Sequence, residues 1–345
     1  MVCVPVAMAA STAVCATSSL AGGQCYWRSH FNRSKGHNFR RLTRASSYRL
    51  HLFPVAAKRR GRQEATSASE ESSYSLLTAV TSRYNEIVVL ETPETRILLL
   101  DSSHNIHSIL HKEQKWTGSY WDEFASLPAI IPKGPIAILG LGAGTAAHLI
   151  LDLWPSFHIE GWEIDGILID IAREYFALSD LESCSKSGGS LSIHIGDALS
   201  PSATVEGGFA GIIVDLFSNG KILPQLREIQ QVTTWLEMEK KLMPDGRIMI
   251  NCGGAHTEIA DSGYIKVSGN HSSKGCWAQN STIKAMCKAF PGKVQQLSWR
   301  RMEGKASENY LALTGPAPDL DAWSAVLPHP LDTNVKHWRP CALNI

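Results

Sequence analysis

Residues 136–165 read IAILGLGAGTAAHLILDLWPSFHIEGWEID. The apolar run Ile136 to Leu139 stops at Gly140. Glycines 140, 142 and 144 make a turn, residues from Thr145 continue as a helix, and His158 to Glu163 forms a second run ending on an acid. Strand, glycine turn, helix and strand make up the crossover unit of a parallel sheet. Glycines let the backbone turn sharply and approach a ligand that a Cβ would push away. Glu163 stands where a strand-end carboxylate accepts hydrogen bonds from the two hydroxyls of a ribose. The layout is that of a nucleoside-cofactor site; the competing reading is an ordinary strand–helix turn.

The glycine spacing narrows the ligand. A dinucleotide fingerprint, G-x-G-x-x-G, turns a helix N-terminus toward a pyrophosphate. Here Thr145 holds the position of the third glycine, which comes one residue early at Gly144. That spacing suits a cofactor without a pyrophosphate, S-adenosylmethionine rather than NAD. Working outward, strands are expected at 135–140, 158–163, 191–195, 210–215 and 246–251. Helical spacing of Ile167, Ile171 and Tyr175 fills one gap, and Pro224 to Met243 forms a longer helix stopped by Pro244-Asp245-Gly246. Such alternation predicts an α/β fold, a Rossmann-like, mostly parallel doubly wound sheet with ligands at the carboxyl ends of its strands. Gly140, Glu163, Asp197 and Asp215 all fall at or just beyond those ends.

The flanks have other characters. Residues 1–63 carry 11 Lys and Arg and no acid, so the remainder is 11 charges more negative than the whole chain, −10 against +1. An acidic remainder argues against nucleic-acid binding. Uncharged to Trp27 and then Arg- and Ser-rich, residues 1–63 read as a chloroplast transit peptide, with a mitochondrial presequence as the alternative. No run is long and apolar enough to span a bilayer. Residues 64–77 read as a linker. Residues 78–132 form a small β unit, with a hairpin of EIVVLE and RILLLD around Thr92-Pro93-Glu94-Thr95 and a lead-in helix from Tyr120 to Leu127. Residues 133–316 make the cofactor domain. A helix is expected from Cys276 to Phe290, strands at 293–298 and 309–314, and a tail at 317–345 that covers the domain or a partner. Cys184, Cys252, Cys276, Cys287 and Cys341 lack C-x-x-C spacing and read as buried reduced thiols. His256, His271 and Cys276 lack an acid or second cysteine to complete a metal site. Trp121 and Trp162 read as packing residues.

Over residues 82–255 the chain resembles the spermidine synthase (polyamine aminopropyltransferase) family. SRYNEI at 82–87 is similar to that family's S-x-Y-Q-x-I, RILLLD at 96–101 to R-V-L-x-L-D, and YWDEFASLP at 120–128 to Y-x-E-M-x-x-H-x-P. GLGAGT, WEID and IGDA resemble the glycine loop, E-I-D and G-D of its cofactor site, and IIVDLFS at 212–218 resembles I-I-x-D-S-S-D. The resemblance implies that Gly140, Gly142 and Gly144 form the cofactor loop, and that Glu163 binds the ribose. It implies that Asp197 and the backbone of Ala198 hold the adenine amino group, and that Asn85 contacts the cofactor. Tyr120 would face the acceptor, and Asp215 would assist the attacking amine. The resemblance also implies a homodimer.

Three departures stand out. Ala143 replaces the acid of the family's G-G-G-D-G, Ser218 the second acid of D-S-S-D, and Ser126 a histidine. A carboxylate at 143 would repel the α-carboxylate of intact S-adenosylmethionine. Its loss predicts acceptance of the intact cofactor and methyl transfer to an unknown small acceptor. The alternatives are aminopropyl transfer from decarboxylated S-adenosylmethionine in polyamine biosynthesis, and a non-catalytic binding protein that retains the fold.

Overall fold

The computed structural model describes residues 74–101, 105–216, 227–253, 258–259, 265–266, 278, 280–300 and 308–341. The expected targeting segment, most of the expected linker, Ser218, His256, His271 and Cys276 lie outside these residues.

Strands β1 (Ser75–Thr81), β2 (Glu86–Glu91), β3 (Thr95–Leu99) and β4 (Ser108–His111) form an antiparallel sheet in chain order. The β2–β3 hairpin forms as expected, because the Thr92 hydroxyl accepts the N–H groups of Glu94 and Thr95 and closes the turn. Residues 75–77, expected as linker, already belong to β1, which pairs with β2 from Ser75 onward.

The main sheet contains β5 (Ile136–Leu139), β6 (His158–Glu163), β7 (Ser190–Ile195), β8 (Phe209–Val214) and β9 (Leu242–Asn251). A two-residue ribbon, β10 (Glu258–Ile259) with β11 (Ile265–Lys266), stands apart from it. β12 (Val294–Arg300), β13 (Glu308–Thr314) and β14 (Arg339–Pro340) complete the sheet, whose order is β14-β12-β13-β9-β8-β5-β6-β7. The five strands from β7 to β9 run parallel, and the other three add antiparallel. Every residue of β5 and β8 is buried, as befits central strands covered on both faces. Strand order reverses at β5, so the crevice beyond its carboxyl end is the switch point where α/β sheets bind ligands. Around it stand α1 (Trp121–Phe124), α2 (Thr145–Leu153), α3 (Gly166–Tyr175) and α4 (Leu178–Glu182). This is a Rossmann-like α/β architecture, with the small antiparallel sheet ahead of it.

Some boundaries differ from expectation. Of the helix expected over 224–243, residues 227–228 and Val232–Glu239 are helical with a turn between them, and β9 begins at Leu242. Pro244-Asp245-Gly246 does not end a helix; it bulges within β9, where Phe209 pairs with Leu242 but Gly211 pairs with Arg247. Asp245 turns the chain at φ 62°, and Gly246 lies against the Phe209 and Ala210 carbonyls where a Cβ would not fit. The helix expected from Cys276 starts at Ser281, because Asn280 caps the N–H groups of Thr282 and Ile283. Cys252 and Cys287 are buried, but Cys184 is exposed, against the expectation of uniformly buried thiols.

Residues 317–341 are part of the domain. Helices Leu320–Ala325 and Leu331–Asn334 lead to β14, which pairs with β12, and Trp323 and Trp338 are buried in the core. The Trp323 indole donates to the Ser126 carbonyl (2.9 Å), and the Asn334 amide donates to Glu123 Oε1 (2.7 Å). Both bonds seat the segment around α1. Among the described residues no helix is long and apolar enough to cross a membrane.

Candidate active site

A cleft of about 960 Å³, counting its open mouth, lies where β5, β6, β7 and β8 end. Eight of the nine residues singled out from sequence line it: Asn85, Tyr120, Gly140, Gly142, Glu163, Asp197, Ala198 and Asp215.

Gly144 does not. It stands below the cleft at the start of α2 with φ 88°, and a Cβ there would meet Leu178 Cδ1 at 2.5 Å. Its role is close packing. Gly140 is required for a different reason: at φ 90° it lies against the Asp215 carbonyl, which a Cβ would approach to 2.5 Å. The turn thus brings the end of β8 beside the end of β5.

On one side of the turn stands Glu163. Its two oxygens each accept one backbone N–H, from Gly142 (3.0 Å) and Asp165 (3.1 Å). Glu163 also lines the cleft, and a carboxylate is the acceptor group that a pair of vicinal hydroxyls needs. Burial pushes the carboxyl above its usual range, and the Gly142 and Asp165 N–H groups oppose this. Asp165, next along, caps α3 through Oδ1, which accepts Ile167 N–H (3.1 Å). Its Oδ2 accepts the Ser82 hydroxyl (2.5 Å) and the Asn85 amide (2.8 Å). Asn85 therefore reaches the cleft with an amide hydrogen already spent on Asp165. Asp197 orders its own turn by accepting Leu199 N–H at 2.9 Å.

On the other side is Asp215. Tyr120 Oη donates to both of its oxygens (3.1 and 3.2 Å), Trp121 Nε1 to Oδ2 (2.9 Å) and Asn251 Nδ2 to Oδ1 (3.1 Å). Burial raises the Asp215 carboxyl above its usual range, and the Asn251, Trp121 and Tyr120 donors pull it back. Trp121 is thus more than packing: its N–H binds the central acid. Asn251 was not singled out from sequence, although the strand-end rule that selected Asp215 applies equally to the last residue of β9.

The small sheet forms the roof. Ser108 Oγ accepts Ala143 N–H (2.9 Å), and Thr145 Oγ1 exchanges hydrogen bonds with both backbone groups of Ile109. His107 lines the cleft and burial depresses its imidazole to about 4, so it is neutral near pH 7. Ala143 does not line the cleft. It is 1% exposed within the core, so the lining itself gives no support to the expectation that its missing charge opens the site to a cofactor carboxylate. Asp122 and Glu123 of α1 also face away. Asp122 accepts from Thr117 and Gly118, and Glu123 is buried against Asn334.

No family model matches the chain. A stretch of 94 residues, 27% of the chain, is 34% identical to the "Probable polyamine aminopropyl transferase" of Bifidobacterium longum, of whose length the chain matches about a fifth (21%). Two solved structures share the fold. A probable spermidine synthase from Corynebacterium glutamicum superposes with TM-score 0.50 and 17% identity over 72% of this chain and 86% of that one. A spermidine synthase in complex with the transition-state analogue AdoDATO superposes with TM-score 0.52 and 17% identity over 71% and 74%. The matched stretch is similar to part of a polyamine aminopropyl transferase, and the chain shares the fold of the two spermidine synthases.

Proposed function

We propose that the protein transfers an aminopropyl group from decarboxylated S-adenosylmethionine to an amine held at Asp215. One observation carries this reading: the described residues lining the cleft include three acids, Glu163, Asp197 and Asp215, and no lysine or arginine. The intact cofactor would bring an α-carboxylate with no cation to meet it, whereas the decarboxylated form brings only positive charge. The likeness to a polyamine aminopropyl transferase supports the same choice. Methyl transfer from the intact cofactor loses its support with the buried position of Ala143.

The cleft fits the nucleoside, with the buried Glu163 carboxylate lining it beside Gly140 and Gly142 of the glycine turn. When bound, the sulfonium supplies an activated carbon: the acceptor nitrogen's lone pair forms the C–N bond as the C–S pair returns to sulfur. Glu163 and Asp197 hold the nucleoside end still. Asp215, fixed by three neutral donors, aims the acceptor nitrogen and takes its proton.

Calorimetry with the full chain tests this reading. Tighter binding of decarboxylated than of intact S-adenosylmethionine is expected, together with release of methylthioadenosine on adding amines. Tighter binding of the intact form would overturn it.

A further inference from the structure

We propose that Asp165 is the positioning residue of the nucleoside end: its carboxylate latches the turn of residues 82–85 to the cleft while its N–H braces Glu163. The proposal rests on the nucleoside site of the reading above and adds the residue that sets it.

Asp165 is 2% exposed and is not itself on the lining. It reaches three elements at once. Its N–H donates to Glu163 Oε1 (3.1 Å), at the end of β6. Its Oδ1 accepts the Ile167 N–H (3.1 Å) and caps α3. Its Oδ2 accepts the Ser82 hydroxyl (2.5 Å) and the Asn85 amide (2.8 Å), both in the turn between β1 and β2.

Ser82 is the pivot of that turn. Its hydroxyl oxygen accepts the Tyr84 and Asn85 N–H groups (3.0 and 2.8 Å). A hydroxyl has one hydrogen to give. The Asp165 oxygen at 2.5 Å takes it in preference to the Asn85 carbonyl at 3.3 Å. The turn so held carries Tyr84 and Asn85, which line the cleft across from Glu163. One buried carboxylate thus ties the roof of the nucleoside site to its ribose acid. Orientation fixed before the ligand arrives costs nothing when it binds.

Asp165→Ser separates this role from the helix cap. Serine caps as well as aspartate, and its single oxygen leaves none for Ser82 and Asn85. Charge loss alone predicts no weakening: burial and the neighbouring Asp165 charge hold the Glu163 carboxyl up, so removing that charge favours the ionised acceptor.

The test is calorimetry of the full chain with methylthioadenosine, the uncharged nucleoside that the proposed transfer releases. Asp165→Ser, checked for folding by its melting curve, is expected to weaken its Kd about tenfold. Ser82→Ala cuts the latch from the other end with Asp165 intact, and should weaken it about threefold or more. The double variant should lose less than the product of the two, because both cut the same bond. In turnover, KM for decarboxylated S-adenosylmethionine should rise, with kcat at saturation kept within about twofold. An unchanged Kd in either folded variant, losses that multiply, or a fall in kcat at unchanged Kd overturns the latch. Weakened binding in a chain that releases no methylthioadenosine with any amine upholds the latch and overturns the transferase reading alone. A native chain that binds no methylthioadenosine overturns both.

Discussion

The indole N–H of Trp121 lies 2.9 Å from Asp215 Oδ2, nearer than the Tyr120 hydroxyl that shares the same oxygen at 3.2 Å. The larger ring makes the shorter bond to that oxygen. Trp121→Phe keeps the ring and removes the donor. Hydrogen bonds to a charged acceptor contribute about 1.5–3 kcal/mol, so kcat/KM for the amine should fall roughly 10–100-fold. Binding of the decarboxylated cofactor, measured by calorimetry, should change by less than about twofold. Because the lost bond favours the ionised acid, the acid limb of the pH–rate profile should move to higher pH. An unmoved limb would deny Asp215 its role as proton acceptor.

Glu163→Gln replaces one carboxylate oxygen by an NH₂ group. Both oxygens already accept backbone N–H groups, so the amide must oppose a donor from Gly142 or Asp165. Cofactor affinity should weaken about 10–100-fold, the cost of one charged hydrogen bond and a misdirected donor. Titration of the variant with the decarboxylated cofactor reads this directly, and an unchanged Kd would remove Glu163 from the ribose site.

Gly140→Ala should damage fold and site together. The new methyl meets the Asp215 carbonyl at 2.5 Å, at a backbone φ of 90°. A loss of about 2–4 kcal/mol is expected, lowering Tm by roughly 5–15 °C. Scanning calorimetry of the two proteins side by side checks it.

Glu123 is fully buried with Oε2 unpartnered, and desolvation pushes its carboxyl up to about 8. The folded state therefore holds this proton more tightly than the unfolded chain. The stabilisation is complete below the ordinary glutamate range and is lost as pH rises toward about 8. Over that window it amounts to a few kcal/mol, an order-of-magnitude figure. Glu123→Gln should flatten the decline in urea midpoint between about pH 5 and pH 8. An equal slope in both proteins would show that Glu123 is ionised in the fold.

The nucleoside half of the cleft was legible in residues 136–165 because its signals are local. An apolar run, three glycines and an acid within 30 residues dictate a strand, a turn and a strand end. The segment after residue 316 was not legible. Trp323 bonds Ser126 across 197 positions and Asn334 bonds Glu123 across 211, and no periodicity records a contact at that range. Trp121 escaped for a related reason, since a tryptophan on a short helix looks the same whether its N–H finds a core carbonyl or an acid 94 residues away. Ala143 misled because residue type was read without side-chain direction: an alanine aimed into the core says nothing about the charge of the cleft. The bulge in β9 was hidden because Pro-Asp-Gly ordinarily ends a helix, and here it is held in the sheet by the close approach of Gly246.

The clamp of Trp323 and Asn334 on α1 has a consequence for how the molecule is made. A ribosome delivers residues 74–216, with the glycine turn, Glu163 and Asp215, well before it delivers residues 317–341. Until that segment emerges, the Ser126 carbonyl lacks its indole partner and Glu123 lacks its amide. The nucleoside wall can therefore settle before the supports of α1, which carries Trp121 and follows Tyr120, are complete. The acceptor side of the cleft is finished after the nucleoside side.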